Sequence, residues 1–204
     1  MHSQNNEAEV VLNYFNGRVG VLLDIGANDG ETFSNSRDLL LNGWYGYIIE
    51  PSKKCFIKLG QLYPFSNNIY NLAISDFNGI SEFFESGAHV PNGKDIALVS
   101  CLDQKEKERW VNVEFEKTKC EVYTFERFLE LTGFKEPQFN FITIDAEGED
   151  WKILQQIDLT KIACECLCIE WNSRTDLMKL YKGYCSKYGM YEISRNAENI
   201  IFAR

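Results

Sequence analysis

Residues 19–30 read VGVLLDIGANDG, an apolar run that ends in an acid and then in glycine-rich sequence. A near-continuous apolar run is typical of a strand covered on both faces, as in a parallel sheet flanked by helices. Gly26 and Gly30 allow backbone conformations that other residues avoid, and Asn28 between them tolerates the left-handed region. The stretch therefore predicts a buried strand that leads into a sharp, ligand-binding turn.

Composition limits the classes of protein to consider. A chain of 204 residues with 45% hydrophobic residues can bury a sizeable core, and we expect 1–204 to form a single domain. Its 30 acidic and 21 basic side chains give a formal net charge of -9, so we expect no nucleic-acid partner. The N-terminus does not resemble a signal peptide, no apolar run approaches the ~20 residues of a membrane helix, and seven cysteines favour reduced thiols. We expect a cytoplasmic protein without a membrane partner, and the sequence does not indicate an oligomeric state.

Helix and strand patterns alternate along the chain. Residues 1–16 predict a leading helix. After the first strand, the pattern predicts further strands at 44–51, 68–75, 139–144 and 164–169, helices at 31–42, 52–63, 125–133, 149–157 and 176–188, and a closing hairpin at 190–203. Such alternation is typical of parallel crossover units.

The segment 85–123 interrupts this alternation, and we expect an irregular insertion there. Within it, 85–110 is a candidate mobile cover over an acceptor site, with hinge points at its glycines and Pro91. His89 is a candidate general base in the same segment.

Four predicted strands each carry an acid close to the C-terminal end. The four are Asp24, Glu50, Asp145 and Glu170. Because the carboxyl ends of parallel strands meet at one edge of the sheet, we expect these side chains to converge on one crevice. Four carboxylates together repel one another, so the crevice predicts a ligand rich in hydrogen-bond donors or a cation.

The spacing of these acids indicates a nucleoside ligand. Glu50 lies 20 residues after Gly30, where nucleotide-binding α/β folds carry the acid that binds the ribose hydroxyls. Asp29 occupies the place where a pyrophosphate would need to approach backbone amides. The acids at 24 and 29 suit the amine and sulfonium of S-adenosylmethionine.

Several short motifs resemble the FkbM family of S-adenosylmethionine-dependent methyltransferases. They are DIGANDG at 24–30, IEP at 49–51, NLAISD at 71–76, IDAEGED at 144–150 and IEW at 169–171. The resemblance implies a class I (Rossmann-like) α/β fold, with a seven-stranded, mostly parallel sheet of order 3-2-1-4-5-7-6 and helices on both faces. It also implies that the first turn holds the methionine part of the cofactor, Glu50 the ribose and the AIS stretch the adenine. The predicted cofactor-binding residues are Asp24, Gly26, Ala27, Asn28, Asp29, Gly30, Thr32, Glu50, Pro51, Ala73, Ile74, Ser75 and Asp145.

Methyl transfer to a hydroxyl requires positioning of the acceptor and a base for its proton. The candidate catalytic residues are Asp145, Glu147 and Glu170. As an alternative that we do not favour, Asp145, Glu170 and Asn172 could hold magnesium, as in catechol-type O-methyltransferases.

FkbM relatives commonly methylate hydroxyl oxygens, so we expect O-methylation of a sugar, a glycan or a small natural-product-like molecule. Two other functions remain open. A nicotinamide-dependent oxidoreductase would explain the spacing to Glu50 equally well, although the missing glycine pattern and Asp29 disfavour it. A non-catalytic nucleoside-binding module would keep the turn and lack turnover.

Overall fold

The computed structural model describes residues 1–64, 68–88, 97–133 and 137–204. The helices in this part of the chain are α1 Glu7–Phe15, α2 Arg37–Leu41, α3 Lys53–Leu62, α4 Gln104–Arg109, α5 Phe125–Thr132, α6 Asp150–Leu154 and α7 Thr175–Lys187. The strands are β1 Val21–Ile25, β2 Tyr45–Ile49, β3 Ile69–Tyr70, β4 Ala73–Ile74, β5 Gly79–Ser86, β6 Phe115–Tyr123, β7 Phe141–Ile144, β8 Cys166–Glu170, β9 Tyr191–Arg195 and β10 Asn199–Ala203.

Seven strands form the main sheet, in the order β3-β2-β1-β7-β8-β10-β9. The neighbouring strands β3, β2, β1, β7 and β8 run parallel to one another, and β10 is antiparallel to both β8 and β9. Three further strands form a second sheet. When the seven strands of the main sheet are renumbered in chain order without those three, their order reads 3-2-1-4-5-7-6. The predicted class I methyltransferase fold is therefore confirmed.

The first strand is buried on both faces, as its apolar run predicts. Leu22 packs on one face with side chains of α1 and α2, among them Val11 and Leu39. Leu23 packs on the other face, in a cluster that includes residues of α5, α6 and α7. Because successive side chains of a strand point to opposite faces, an unbroken apolar run is needed to fill both clusters.

The strand register brings the predicted acids to one edge. Ile25 pairs with Ile49 and with Ile144, and Ile144 pairs with Ile169. The acids Glu50, Asp145 and Glu170 each follow a member of this row, and Asp24 lies one position before it. Convergence of the four acids is thus a consequence of parallel pairing in register.

A second sheet of order β4-β6-β5 replaces part of the expected pattern. The predicted third strand, 68–75, is split: β3 pairs with β2, whereas β4 leaves the main sheet and pairs with β6. The expected irregular insertion at 85–123 contains all of α4 and all of β6. Charged side chains alternate along β6 on its exposed face, which explains why this strand resembled solvated surface in the sequence.

The ends of the proposed cover are anchored in the fold. Phe84 and Cys101 exchange backbone hydrogen bonds of 2.9 and 3.0 Å, and Glu85 and Val99 are buried. Residues 89–96, with His89 and Pro91, lie outside the described residues.

Several predicted helices are shorter than expected, and the one predicted at 149–157 covers only Asp150–Leu154. The leading helix begins at Glu7, and the helix predicted at 31–42 covers only Arg37–Leu41. The latter starts late because the Asp29 carboxylate accepts hydrogen bonds from the backbone N–H groups of 31 and 32, and Phe33 has a left-handed φ of 56°. No helix among the described residues has the length and apolar character needed to cross a membrane. All seven cysteines are free and buried.

Candidate active site

The turn after β1 lies directly against the end of β7. Gly26 has a φ of 89°, and a Cβ at this position would lie 1.7 Å from the carbonyl oxygen of Asp145. The Asp145 N–H in turn donates to the carbonyl of Ile25 at 2.9 Å. Only glycine fits a backbone approach this close with this conformation.

Glu50 is held by the backbone at two points. Its Oε2 accepts from the N–H of Asn28 at 2.8 Å, and its Oε1 accepts from the N–H of Ser52 at 2.6 Å. Burial raises the pKa of Glu50 to about 8, against the opposing effect of the two donors, and the charges of Asp24 and Glu85 add to the rise. The carboxylate is therefore oriented before any ligand binds.

A cavity of about 260 Å³ opens at this edge of the sheet. Its acidic lining residues are Asp24, Glu50, Asp145, Glu147, Glu149, Glu170 and Glu198. Among the described residues that line it there is no lysine, arginine or histidine. The clustered carboxyl groups favour a ligand that carries positive charge or many hydrogen-bond donors, and they disfavour a pyrophosphate.

Three of these acids form a compact group, which we call the carboxylate trio: Asp145, Glu147 and Glu170. One carboxylate oxygen from each lies within 4.8 Å of one from each of the others. Burial, followed by neighbouring acids, raises the pKa of Asp145 to about 8 and those of Glu147 and Glu170 well above the ordinary value. A hydrogen bond from the Asn172 side chain to Glu170 opposes the rise there.

The loop that carries Glu147 is fixed by Asp150. The Asp150 carboxylate accepts from the N–H groups of Ala146 at 2.9 Å and Gly148 at 3.1 Å. Glu147 itself has a φ of 45°, a strained conformation for a residue with a side chain. Its Oε2 is buried and has no hydrogen-bond partner among the described residues.

Residues 24–181 match the family described as Methyltransferase FkbM domain. This chain belongs to the FkbM methyltransferase family. The match covers most of the chain and includes every motif that supported the resemblance. No curated protein matches the sequence.

The solved structures that this chain resembles are distant from it in sequence. The candidate RNA methyltransferase PH1948 from Pyrococcus horikoshii shares 9% identity with a TM-score of 0.51, over 98% of this chain and 81% of that chain. The METTL16 MTase domain shares 14% identity with a TM-score of 0.48, over 96% of this chain and 63% of that chain. The hMettl16 catalytic domain in complex with the MAT2A 3'UTR hairpin 6 shares 16% identity with a TM-score of 0.42, over 97% and 68%. Family and fold together support an S-adenosylmethionine-dependent methyltransferase.

These neighbours correct one prediction. The expectation of no nucleic-acid partner is wrong as an exclusion, because a candidate RNA methyltransferase has the same fold. The expectation relied on the net charge of -9, which averages over the whole surface, whereas a partner is bound by one local face.

Most of the cofactor-binding residues predicted for an FkbM protein line the cavity. These are Asp24, Gly26, Ala27, Asn28, Thr32, Glu50, Pro51, Ala73, Ile74 and Asp145. Asp29, Gly30 and Ser75 are not among the lining residues. Asp29 instead caps its own turn, with its Oδ2 also accepting from the Thr32 hydroxyl at 3.0 Å, and a Cβ at Gly30 would lie 2.6 Å from Leu59 Cδ2. Ser75 donates to Glu149, beside the ion pair of Glu149 with Lys152.

Sequence reasoning missed several polar residues of the cavity, Asn35 among them, and its apolar wall. Asn35 lines the cavity with a buried Oδ1 that has no partner among the described residues, while its Nδ2 lies 3.4 Å from the Thr143 hydroxyl. The wall comes from Phe83, 97–102 and Trp110. No local pattern marks these residues, because the second sheet brings them to the cavity from distant parts of the chain.

Proposed function

We propose that this FkbM protein transfers a methyl group from S-adenosylmethionine to a hydroxyl oxygen on a sugar, a glycan or a small natural-product-like molecule. The observation that carries the proposal is the carboxylate trio in a cavity whose described lining residues include no cation. Such a site can attract a cationic cofactor and take up a proton beside it.

The residues at the edge of the sheet suit the cofactor. The absence of a Cβ at Gly26 leaves room for the close approach of backbone at the first turn, and Glu50 keeps acceptor capacity for two ribose hydroxyls beyond its two backbone donors. Asp24 and the trio offer negative charge to an amine and a sulfonium. When bound, the cofactor supplies an electrophilic methyl group. The chain's own task is to orient the two reactants and exclude water.

The trio supports a hydroxyl acceptor. A hydroxyl is a poor nucleophile until its proton is removed, and a base works best when its pKa is close to the working pH. The pKa of Asp145, raised to about 8 by burial and the neighbouring acids, meets this condition. We therefore assign Asp145 as the group that accepts the hydroxyl proton, with Glu147 and Glu170 maintaining its raised pKa.

The two alternative functions have less support. A nicotinamide dinucleotide carries a pyrophosphate, which the acidic lining would repel, and family membership also favours methyl transfer. A non-catalytic nucleoside-binding module would bind the cofactor without turnover, which an activity assay distinguishes.

The test is a transfer assay with S-adenosylmethionine labelled on its methyl group. The acceptors are offered separately: a free sugar, a glycan, a polyhydroxylated natural product and an RNA oligonucleotide. We expect label on a hydroxyl oxygen, located by mass spectrometry. Label on a base nitrogen of the RNA would contradict the proposed acceptor. Cofactor binding without transfer to any acceptor would favour the non-catalytic module.

A further inference from the structure

The two arginines considered as partners of the carboxylate trio form ion pairs with other acids. Arg109 pairs with the buried Glu106, and Arg174 lies 4.0 Å from Glu106 and 3.5 Å from Asp176. Among the described residues, no lysine or arginine forms an ion pair with a member of the trio. Three carboxylates thus approach one another without an ion-paired cation among the described residues, and the charge of Arg109 only partly opposes the rise in the pKa of Glu147.

Glu147 provides an observation that is independent of this clustering. Its side chain is 8% exposed, and its Oε2 lies in the protein without a hydrogen-bond partner among the described residues. A buried carboxylate oxygen without a donor costs free energy, which a ligand at that position would recover. The strained φ of Glu147 and the Asp150 hydrogen bonds to its loop hold the side chain in the cavity despite this cost.

We propose that Asp145, Glu147 and Glu170 bind one hard divalent cation, of the Mg²⁺ or Ca²⁺ type. This set differs from the sequence-based alternative, because Glu147 takes the place of Asn172 as a direct ligand. Asn172 donates to Glu170 and so orients a ligand instead.

The spacing of the oxygens fits such an ion. Two oxygens that share one ion lie no further apart than twice the metal–oxygen distance, about 4.2 Å for Mg²⁺ and about 4.6–5.2 Å for Ca²⁺. The trio oxygens lie within 4.8 Å of one another, so Ca²⁺ fits with little movement and Mg²⁺ after a small contraction. A ligand set that contains only oxygen suits these hard ions, whereas zinc and copper prefer nitrogen or sulfur.

The cation would occupy the position next to the proposed acceptor. A hydroxyl bound to it would have a lowered pKa and a fixed orientation. A bound cation would also lower the pKa values of the trio, so activation by the ion and proton uptake by Asp145 are alternative ways to prepare the hydroxyl. This role rests on the proposed function, whereas the binding of the ion itself does not.

The test is calorimetric titration of the cofactor-free protein with MgCl₂ and, separately, with CaCl₂. We expect one site for at least one of the two ions. Glu147→Gln keeps the size of the side chain and removes its charge, and it should weaken binding at least about tenfold. Glu130→Gln, on the exposed surface of α5, is the matched control and should bind like the wild type.

A second measurement detects ion binding even if the heat of binding is close to zero. Melting temperature recorded with and without millimolar ion should rise for the wild type and the Glu130 variant, since a ligand of the folded state stabilises it. The Glu147 variant should melt higher than wild type without ion, because one repelling charge is gone, and should respond less to the ion. No heat and no melting shift in folded wild type, or equal affinity in Glu147→Gln, would overturn the proposal. Neither measurement contains cofactor or acceptor, so the metal site and the methylation can fail independently.

Discussion

The Oε2 of Glu50 accepts a 2.8 Å hydrogen bond from the backbone N–H of Asn28, so the acid at the end of β2 holds the turn that follows β1. Asn28 has a left-handed φ of 49° in that turn. In the proposed function one carboxylate therefore has two tasks: it fixes the glycine-rich loop, and it would accept hydrogen bonds from the ribose of the cofactor. Its removal should affect binding more than a single lost contact would.

Glu50→Ala should weaken the binding of S-adenosylmethionine and S-adenosylhomocysteine by about 1.5–3 kcal/mol, the range for hydrogen bonds to a charged group. Titration calorimetry measures the effect directly. Glu130→Ala, far from the cavity on α5, serves as the control and should leave the affinity unchanged. An unaltered affinity in a folded Glu50 variant would place the ribose elsewhere.

Gly26→Ala should destabilise the fold by several kcal/mol, because the new Cβ would lie 1.7 Å from the Asp145 carbonyl oxygen in a left-handed conformation. Gly183→Ala is the matched control. Gly183 lies in α7 with nothing within 4 Å of a built Cβ, so alanine there should stabilise by about 0.5–1 kcal/mol. Thermal melting of both variants tests the contrast, and a Gly26 variant as stable as wild type would contradict the geometry.

The pH dependence of stability should show the raised pKa of Glu50. The pKa is 4.5 without the environment of the fold and about 8 in it, so the folded state binds more protons between these values. The free energy of unfolding should therefore decrease as the pH rises from about 5 to 8. Urea unfolding of wild type and Glu50→Gln at several pH values measures the slope. In the variant, the free energy of unfolding should decrease less steeply with pH. The remaining decrease comes from other acids with raised pKa values, such as Asp24 and Asp145, whose contributions have the same sign. Identical slopes would show that Glu50 is ionised throughout.

Asp145→Asn should lower turnover by about 10²–10⁴-fold, since the amide cannot take up the hydroxyl proton. Its melting temperature should be at least that of wild type, because the change removes a repelling charge without altering size. The exposed Asp176→Asn is the control and should retain activity. Full activity in Asp145→Asn would move the base to another group.

The convergence of acids at one edge of the main sheet could be predicted from the sequence for a physical reason. Parallel pairing in register aligns strand ends, so acids at those ends, such as Glu50 and Glu170, must meet wherever the strands lie in order. Local capping was harder to foresee. Asp29 resembled a ligand for a cation, whereas its carboxylate is used by the backbone of its own turn.

Long-range pairing was beyond sequence reasoning. The split of the predicted strand 68–75 depends on whether 73–74 pairs with β2 or with β6, and both are compatible with its apolar residues. The buried Glu85 is a similar case. It contacts the Ser52 hydroxyl and lies 3.2 Å from Lys54 Nζ, partners that a charged residue at a strand end does not reveal.

Because β4 leaves the main sheet, the acidic edge of the main sheet and the cavity wall on the second sheet can change independently in evolution. The strand ends that carry Glu50 and Asp145 depend on parallel partners on each side, so their spacing tolerates little drift. The cavity wall at Phe83 and 97–102 is attached through the β5–β6 pair, outside that parallel array. Substitutions, insertions and deletions in this pair can accumulate while the ladder of the main sheet keeps its register. Under the proposed function, related proteins can thus change the methyl acceptor and keep the same cofactor-binding site.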